Sequence, residues 1–425
     1  MFALVDGTRF FANCSTIYKP ELDGKPVLIV AGQGISIASN RKSSDLKIKK
    51  FEPIWTNIDK LRLHGGVAIQ ANFDTLGHIS DNFQSSLKDF LPGARIYHYS
   101  VDESFIDLSH QYRIGVDLDE LMGTVRKSVY RATGVATGAG VANTLTLAKC
   151  ASWASKNIPK YKGKCVLQTQ CDIDDVLAQM NVKDVWNIGA AYARHLMHEG
   201  ITNALQLKKC NSKSYQAKYG INLANVISEL NGKQVLSFGE APKKQQVWST
   251  KSYRDRLSNV DTLHTELAHH VSEVMAKVRG QKSLIMNVSF FVASSPYDSC
   301  DQFSQRITVD YEEGVSDTGH VLKTLTTALP KLLPPCLVKQ PVYKVGCGST
   351  RMVDAEARQY GLFDTFDNRE VLNQTVDHLN VRFGKGAIAF ASQSRIYKEK
   401  AGNLPIQKLE SYFSNINQLI KIKCV

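Results

Sequence analysis

The 425-residue sequence lacks the patterns of several common protein classes. Its nine cysteines include no C-x-x-C pair and have no histidine at zinc-finger spacing, which argues against structural zinc and against a disulfide framework. It has no run of about 18 apolar residues, and Asp6 and Arg9 interrupt the first apolar run, so that a signal peptide is not expected. The sequence therefore predicts a soluble cytoplasmic protein without membrane contact.

The composition is that of a globular chain with several domains. Hydrophobic residues make up 43% of the sequence, and its length corresponds to about three domains at roughly 150 residues each. Basic side chains exceed acidic ones by 12, and this excess lies entirely in residues 111–425, because residues 1–110 carry equal numbers of both. This uneven positive charge favours binding to a polyanion.

Three carboxylates follow or adjoin predicted strands. A short apolar run ends at Asp6, and Asp102 and Glu103 lie between two predicted strands. Carboxylates grouped in this way bind Mg²⁺, and two such ions about 3.5 to 4 Å apart activate an attacking hydroxyl and stabilise the leaving oxygen. The pattern indicates nucleotidyl transfer. Two simpler interpretations remain open: Asp6 caps a turn with Gly7, and Asp102 and Glu103 form an ordinary solvated pair.

The hydrophobic periodicity changes along the chain. Strands are predicted at 1–6, 26–31 and 35–39, with a short helix at Phe10–Tyr18, and further strands and helices alternate to about residue 165. The following region is helical, and residues 247–350 have an α+β pattern with helices near 261–279 and 318–332. These changes predict a multidomain fold with α/β and α+β parts.

Several motifs in this order carry a family resemblance. They are Phe2-Ala3-Leu4-x-Asp6, Tyr99-Ser100-Val101-Asp102-Glu103-Ser104-Phe105, Val185-Trp186-x-Ile188-Gly189 and Gln359-x-x-Leu362-Phe363. With these residues in place, the chain resembles the Y-family of translesion DNA polymerases over almost its whole length, nearest to the UmuC branch found in bacterial DNA polymerase V. The ordered set is more specific than any single motif.

The resemblance implies a right-hand polymerase. The palm would comprise 1–30 and 76–165, the fingers 31–75, and a helical thumb 166–238 with a phosphate-binding turn. A linker at 239–248, a little finger at 249–350 and a C-terminal tail at 351–425 with a clamp-binding motif would follow.

The resemblance also implies a function and its site. The function would be error-prone, template-directed deoxynucleotidyl transfer in an SOS-type response to DNA damage. Asp6, Asp102 and Glu103 would be the catalytic carboxylates, holding two Mg²⁺ ions, or Mn²⁺ in their place, with the Gly7 carbonyl as a further ligand. Phe11 would be the steric gate that excludes a ribose 2′-hydroxyl by collision.

Further residues are implied as contacts to substrates and partners. Lys149, Lys156 and Arg41 would bind the deoxynucleoside triphosphate. The residues expected to hold the primer-template DNA are Ile188, Gly189, Lys243, Lys244, Lys251, Arg254 and Arg256, and those expected on a sliding clamp are Gln359, Leu362 and Phe363. A processed UmuD-type dimer and a RecA filament are further implied partners, and the protein would be nucleoid-associated.

The sequence departs from the family at three positions that the resemblance assigns to triphosphate binding. Ser39 stands in the place of a family arginine, Leu76 in that of a tyrosine and Leu145 in that of a lysine. If strand 35–39 continued to residue 41, Arg41 would lie on the same face as Ser39 and it or Lys42 would take over the role.

These departures keep other functions open. A non-catalytic paralogue would retain the polymerase fold to bind DNA, the clamp or a damage-response partner. A palm-type nucleotidyl cyclase is a third possibility, although it leaves the basic second half of the chain unexplained.

Overall fold

The chain folds into two compact units. A computed structural model describes residues 1–32, 34–239, 243–299, 301–357, 369–384, 386–393, 406–410 and 412. The first unit comprises Met1–Glu240 with Leu404–Val425, and the second comprises Ala241–Asn403.

The strands of both units are numbered in chain order. They are β1 (Phe2–Gly7), β2 (Val27–Ala31), β3 (Ile35–Ser39), β4 (Val67–Gln70), β5 (Ile96–His98), β6 (Glu103–Asp107), β7 (Thr137–Ala142), β8 (Lys164–Val166), β9 (Val247–Leu257), β10 (Ser283–Ala293), β11 (Ser304–Val315), β12 (Val342–Ser349), β13 (Met352–Asp354) and β14 (Ile406–Lys408).

The α helices are numbered in the same way. They are α1 (Phe10–Cys14), α2 (Arg41–Asp45), α3 (Ile58–Leu63), α4 (Phe73–Phe90), α5 (Ser109–Arg113), α6 (Leu118–Thr133), α7 (Leu145–Asn157), α8 (Gln170–Gln179), α9 (Ala190–His198), α10 (Ala204–Lys208), α11 (Ser212–Tyr219), α12 (Ile221–Leu230), α13 (Val260–Gly280), α14 (Thr318–Leu332) and α15 (Glu370–Phe383).

The central sheet of the first unit has the order β5-β6-β1-β7-β8. Alternate side chains of β1 point to opposite faces, so Phe2 and Leu4 join the core that contains α7, while Ala3 and Val5 join the core under α4 and α6. A strand covered on both faces needs a continuous apolar sequence, which explains the run that ends at Asp6.

A second sheet of the first unit has the order β14-β4-β2-β3. Its edge strand β14 comes from the C-terminal segment and pairs in parallel with β4, Ile406 opposite Ala68. Next to it, Leu409 is buried, and its carbonyl accepts a hydrogen bond from Asn72 Nδ2 at 3.1 Å. Residues 351–425 were predicted to form a C-terminal tail, and their return to the first unit was not predicted.

The second unit is an α+β layer. Its sheet has the order β11-β10-β12-β9, with β13 added beside β10. Helices α13 and α14 cover one face of this sheet and form a common core with it. The core includes Leu267 and Val274 of α13 and Leu325 of α14. Helix α14 begins and ends where the periodicity predicted.

The predicted multidomain α/β and α+β architecture is confirmed. The assignment of ranges to palm, fingers, thumb and little finger stays a prediction. Among the described residues, every helix is too short or too polar to cross a membrane.

Candidate active site

Strand register brings two of the predicted carboxylates together. Asp6, near the end of β1, lies directly opposite Glu103, the first residue of β6. Asp102 precedes β6, and its carbonyl accepts a hydrogen bond from the Gly7 amide at 2.7 Å. A Cβ at Gly7 would come within 2.8 Å of the Phe10 ring and 3.4 Å of the Asp102 Cβ, so glycine permits this close approach.

Two lysines of α7 neutralise these carboxylates. Lys156 forms an ion pair with Asp6, and Lys149 Nζ donates to both carboxylate oxygens of Glu103 at 2.9 Å. The helix can lie this close because Gly138 on β7 leaves room: a Cβ there would come within 2.8 Å of Lys156 Cε. The lysines are seven residues apart and share a face of α7.

Burial makes the carboxylates unfavourable as isolated anions. The pKa of Asp6 is raised to about 6, chiefly by desolvation. Lys156 opposes this rise, and the negative charges of Glu103 and Asp102 add to it. Desolvation, followed by the charge of Glu103, also raises the pKa of Asp102. The three groups are therefore close enough to interact electrostatically.

This cluster fits a divalent cation in its chemistry. Hard carboxylate oxygens are the ligands that Mg²⁺ prefers, and a bound cation would relieve the repulsion just described. Within the described ranges, however, no three histidine, cysteine, aspartate or glutamate side chains already converge as a metal site. Lys156 and Lys149 supply the positive charge instead, so metal ions would have to compete with these two ion pairs.

Lys149 also lies among aromatic rings. Its Nζ is 4.5 Å from the centroid of Tyr99, 5.4 Å from that of Trp186 and 5.9 Å from that of Phe105. Trp186 Nε1 donates to the Tyr99 hydroxyl at 3.1 Å. These contacts hold Lys149 against Glu103, and its predicted contact with nucleotide stays a prediction.

The predicted gate ring stands at the surface of the first unit. Phe11, on α1, is half-buried, and its ring makes an edge contact with Phe73 at a centroid distance of 6.1 Å. Its neighbour Phe10 is buried in the core. Helix α1 ends at Cys14, so the predicted helix to Tyr18 was too long.

The three departures from the family pattern are all buried. Ser39, Leu76 and Leu145 have relative exposures of only 2%, 2% and 3%. Leu76 packs in the core with α4, and Leu145 packs in the core that contains α7. These two positions therefore serve packing in this chain.

The predicted position of Arg41 beside Ser39 on a continued strand is wrong. Strand β3 ends at Ser39, and the Asn40 side chain caps α2, so that Arg41 starts a helix. The Arg41 side chain is 80% exposed and pairs with Asp45 at 3.2 Å. A phosphate contact of Arg41 stays a prediction, but the strand geometry no longer supports it.

The sequence analysis missed Arg9. Its Nη1 donates to the Ser39 carbonyl oxygen at 2.9 Å and to Ser44 Oγ at 2.7 Å. The available signal was a basic residue between the carboxylate at Asp6 and the ring at Phe11. Nothing in the local sequence indicated that this side chain would reach β3.

Family models match both units of the chain. The impB/mucB/samB family model matches residues 5–153, and the model for the C-terminal domain of that family matches residues 244–362. The chain belongs to the impB/mucB/samB family. The resemblance expected from the motifs is thereby confirmed.

Individual relatives agree with this family. Protein UmuC of Salmonella typhimurium is 28% identical over 400 residues, which cover 92% of this chain and 93% of that protein. Protein SamB of Salmonella typhimurium is 27% identical over 406 residues, with the same coverage. A solved Y-family DNA polymerase chimera of Dbh and Dpo4 aligns with a TM-score of 0.66 at 17% identity, covering 83% of this chain and all of the chimera. The fold is thus that of Y-family polymerases.

The residues predicted to contact DNA differ in their surroundings. In the first unit, Ile188 is buried and Gly189 precedes α9. In the second unit, Lys244 and Arg254 are exposed, whereas Lys243 pairs with Asp354.

Two further cations of β9 have specific neighbours. Lys251 Nζ lies 4.7 Å from the centroid of the Tyr253 ring. Both carboxylate oxygens of Asp298 accept hydrogen bonds from Arg256, at 2.6 and 2.8 Å. Arg256 is thus the most constrained of the predicted DNA contacts, because its guanidinium is already bound.

In the second unit, the sheet face that α13 and α14 leave open contains basic and aromatic residues that were not predicted from the sequence. Arg306 lies over the rings of Trp248 and Phe291, at 5.2 and 5.9 Å from their centroids, and Lys344 Nζ is 5.9 Å from the Phe291 centroid. These residues lie on neighbouring strands, away from α13 and α14. Strand alternation was the signal for this face, but the pairing of β9, β10, β11 and β12 was needed to assemble it.

The predicted clamp-binding residues Gln359, Leu362 and Phe363 lie outside the described residues.

Proposed function

We propose that this chain is a DNA-directed DNA polymerase that carries out error-prone translesion synthesis by a two-metal mechanism. The observation that carries the proposal is the cluster of Asp6, Asp102 and Glu103 at one end of β1 and β6, balanced by Lys149 and Lys156 of α7. A Y-family polymerase fold and membership of the impB/mucB/samB family support it.

Asp6, Asp102 and Glu103, with the Gly7 carbonyl, would hold two Mg²⁺ ions, or Mn²⁺ in their place. Bound there, the ions would lower the pKa of the primer 3′-hydroxyl and stabilise the charge of the departing pyrophosphate. The partly buried setting strengthens every electrostatic contact to the reacting phosphate.

The surrounding side chains orient the substrate. Lys156, which pairs with Asp6, would be free to donate to the triphosphate if a cation neutralised that carboxylate. Phe11, supported by Phe73, leaves space for a deoxyribose but collides with a ribose 2′-hydroxyl. Lys149 keeps Glu103 in position through its contacts with Tyr99 and Trp186.

The second unit would bind the DNA backbone through its open sheet face. Arg306 and Lys344 add to the predicted contacts Lys244 and Arg254, and together they provide the positive charge that phosphates require. Lys251 is paired with the buried Val345 and therefore lies on the other face, toward α13, so this face does not include it. In the first unit, the turn at Ile188 and Gly189 would bind a DNA phosphate through the Gly189 amide and the N-terminal N–H groups of α9, because the Ile188 amide already donates to the Val185 carbonyl at 3.0 Å.

The further partners of the family complete the proposal. Gln359, Leu362 and Phe363 would dock on a sliding clamp, and deletion of 359–363 should abolish clamp-stimulated synthesis while sparing basal synthesis. A processed UmuD-type dimer and a RecA filament would activate the enzyme in a cytoplasmic, nucleoid-associated SOS response.

Primer extension tests the proposed activity directly. Wild type and Asp102→Ala/Glu103→Ala are compared on primer-template DNA with Mg²⁺ or Mn²⁺, with the UmuD-type dimer and RecA filament supplied. We expect extension by wild type alone, with equal DNA affinity for both proteins. Extension by neither protein, with DNA binding intact, would favour a polymerase-fold accessory protein. Failure to bind primer-template DNA would favour a nucleotidyl cyclase.

A further inference from the structure

The contact between Arg9 and Ser39 places a cation beside position 39, where the family resemblance implies an arginine and this chain has a serine. Arg9 lies in the short link between β1 and α1, three residues after Asp6 and two before Phe11. Its guanidinium reaches the end of β3 and α2, where Nη1 donates to the Ser39 carbonyl and to Ser44 Oγ. The Ser39 and Ser44 hydroxyls are themselves 3.2 Å apart. One side chain thus connects the carboxylate segment to the place of the missing arginine.

The backbone of Arg9 is strained in a way that favours this reach. Arg9 has φ 48° and ψ 45°, in the left-handed region that non-glycine residues seldom adopt. Such a conformation is unfavourable for a residue with a side chain and persists where surrounding contacts compensate for it. Asn13 Nδ2 supports the turn by donating to the Thr8 carbonyl at 2.6 Å.

Arg9 forms no direct ion pair with a carboxylate of the described residues, although the charges of Arg41 and Asp45 act on it in opposite directions. Both of its acceptors are neutral oxygens, and among the described residues no carboxylate lies within 4.0 Å of its guanidinium. Among the described residues, no acceptor receives a hydrogen bond from Nε or Nη2 of Arg9. These two nitrogens can therefore donate to another acceptor. A half-buried cation with neutral partners favours binding of an anion.

Nearby basic residues suit the role less well. Arg41 is mostly exposed and already pairs with Asp45, and the neighbouring Lys42 is exposed as well. Ser39 is buried, so it has no room for the family arginine beside the guanidinium of Arg9.

We propose that Arg9 binds the triphosphate of the incoming nucleotide, in place of the arginine that the family carries at position 39. This inference rests on the proposed polymerase function. It assigns a role to a residue in the same segment as the carboxylate Asp6 and the gate ring Phe11. The cation comes from the link after β1, whereas the family supplies it from β3.

The test compares Arg9→Gln with Arg9→Lys, and uses Arg62→Gln, at an exposed side chain of α3, as a matched control. Glutamine can still donate to the Ser39 carbonyl but carries no charge, whereas lysine keeps the charge. Three quantities are measured: KM and kcat for the deoxynucleotide in primer extension, the affinity of the protein–DNA complex for tripolyphosphate by calorimetry, and the melting temperature.

We expect Arg9→Gln to raise both the nucleotide KM and the Kd for tripolyphosphate by about ten- to hundredfold. Arg9→Lys should recover part of this loss, and Arg62→Gln should stay within about twofold of wild type. DNA affinity should not change in any variant.

Two results would overturn the inference. One is tripolyphosphate and nucleotide binding by Arg9→Gln within about twofold of wild type. The other is equal impairment of Arg9→Gln and Arg9→Lys in step with their melting temperatures, which would show that Arg9 only ties α1 to β3. If wild type extends no primer, the proposed function fails, and the tripolyphosphate titration still decides whether Arg9 binds phosphate.

Discussion

The two sides of the candidate site are built differently. On the metal side, Asp6 and Glu103 are opposite residues of adjacent strands, and lysines of one helix face them. On the proposed phosphate side, Ser39 is buried, and the cation that contacts it is Arg9, which lies in the link between β1 and α1. Positions fixed by strand register tolerate little change, whereas a phosphate contact made by a long side chain can be supplied from a new backbone position.

Loss of one carboxylate should have the largest effect. Asp6→Asn keeps the volume but removes the charge, so we expect primer extension to fall by about a thousandfold or more. DNA affinity, measured by fluorescence anisotropy, should be unchanged. Asp59→Asn, at an exposed carboxylate of α3, is the control and should extend normally. Near-normal extension by Asp6→Asn would show that the metal side is not essential.

The gate ring should affect sugar selection rather than the rate with deoxynucleotides. Phe11→Val opens the space beside the sugar, and we expect discrimination against ribonucleotides to fall by about ten- to hundredfold. Phe73→Leu, which removes the ring that supports Phe11, should give a smaller loss of the same kind. The measurement is the ratio of kcat/KM for matched deoxy- and ribonucleotides. Unchanged selectivity in Phe11→Val would remove the gate assignment.

Returning the family arginine should not improve this chain. Ser39→Arg forces a large cation into a buried position beside Arg9, so we expect a loss of about 1 to 3 kcal/mol in the free energy of unfolding and no gain in nucleotide affinity. The double variant Arg9→Ser/Ser39→Arg moves the positive charge to position 39. It should recover part of the stability lost in Ser39→Arg and part of the nucleotide affinity lost with Arg9. A lower KM in Ser39→Arg alone would contradict the comparison, because the position would then be free to accept the family residue.

The smallest effect concerns pH. Since burial raises the pKa of Asp6 from 3.8 to about 6, the folded state binds more protons than the unfolded state between these values. The metal-free protein should therefore lose stability as pH rises through that window, and the loss should level off above it. Urea unfolding in a chelator, wild type against Asp6→Asn, measures this dependence. Identical pH slopes in the two proteins would contradict the assigned burial of Asp6.

Regular, strongly patterned elements could be predicted from the sequence. Strand β3 and helix α14 match their predicted ranges, because their apolar periodicity is local. The proximity of Asp6 to Glu103 could also be predicted from the sequence, since both lie at strand ends. Strand β14 was not, because three residues give no period and their partner β4 is more than 300 residues away.

The errors at the phosphate side have a similar cause. Arg41 was placed on a continued strand, but the Asn40 side chain accepts from the Ser43 amide and starts α2 instead. The reach of Arg9 to Ser39 depends on a left-handed backbone that the sequence does not reveal. Contacts made by long side chains between distant elements require the structure.

The proposed function depends on Asp6, Asp102 and Glu103 forming a two-metal site. Titration of Mn²⁺ into the complex with primer-template DNA and a non-hydrolysable deoxynucleotide, followed by electron paramagnetic resonance, tests it most directly. We expect about two bound ions per chain in wild type, and their loss in Asp102→Ala/Glu103→Ala. Equal Mn²⁺ binding by both proteins, or none by wild type while primer extension continues, would contradict it.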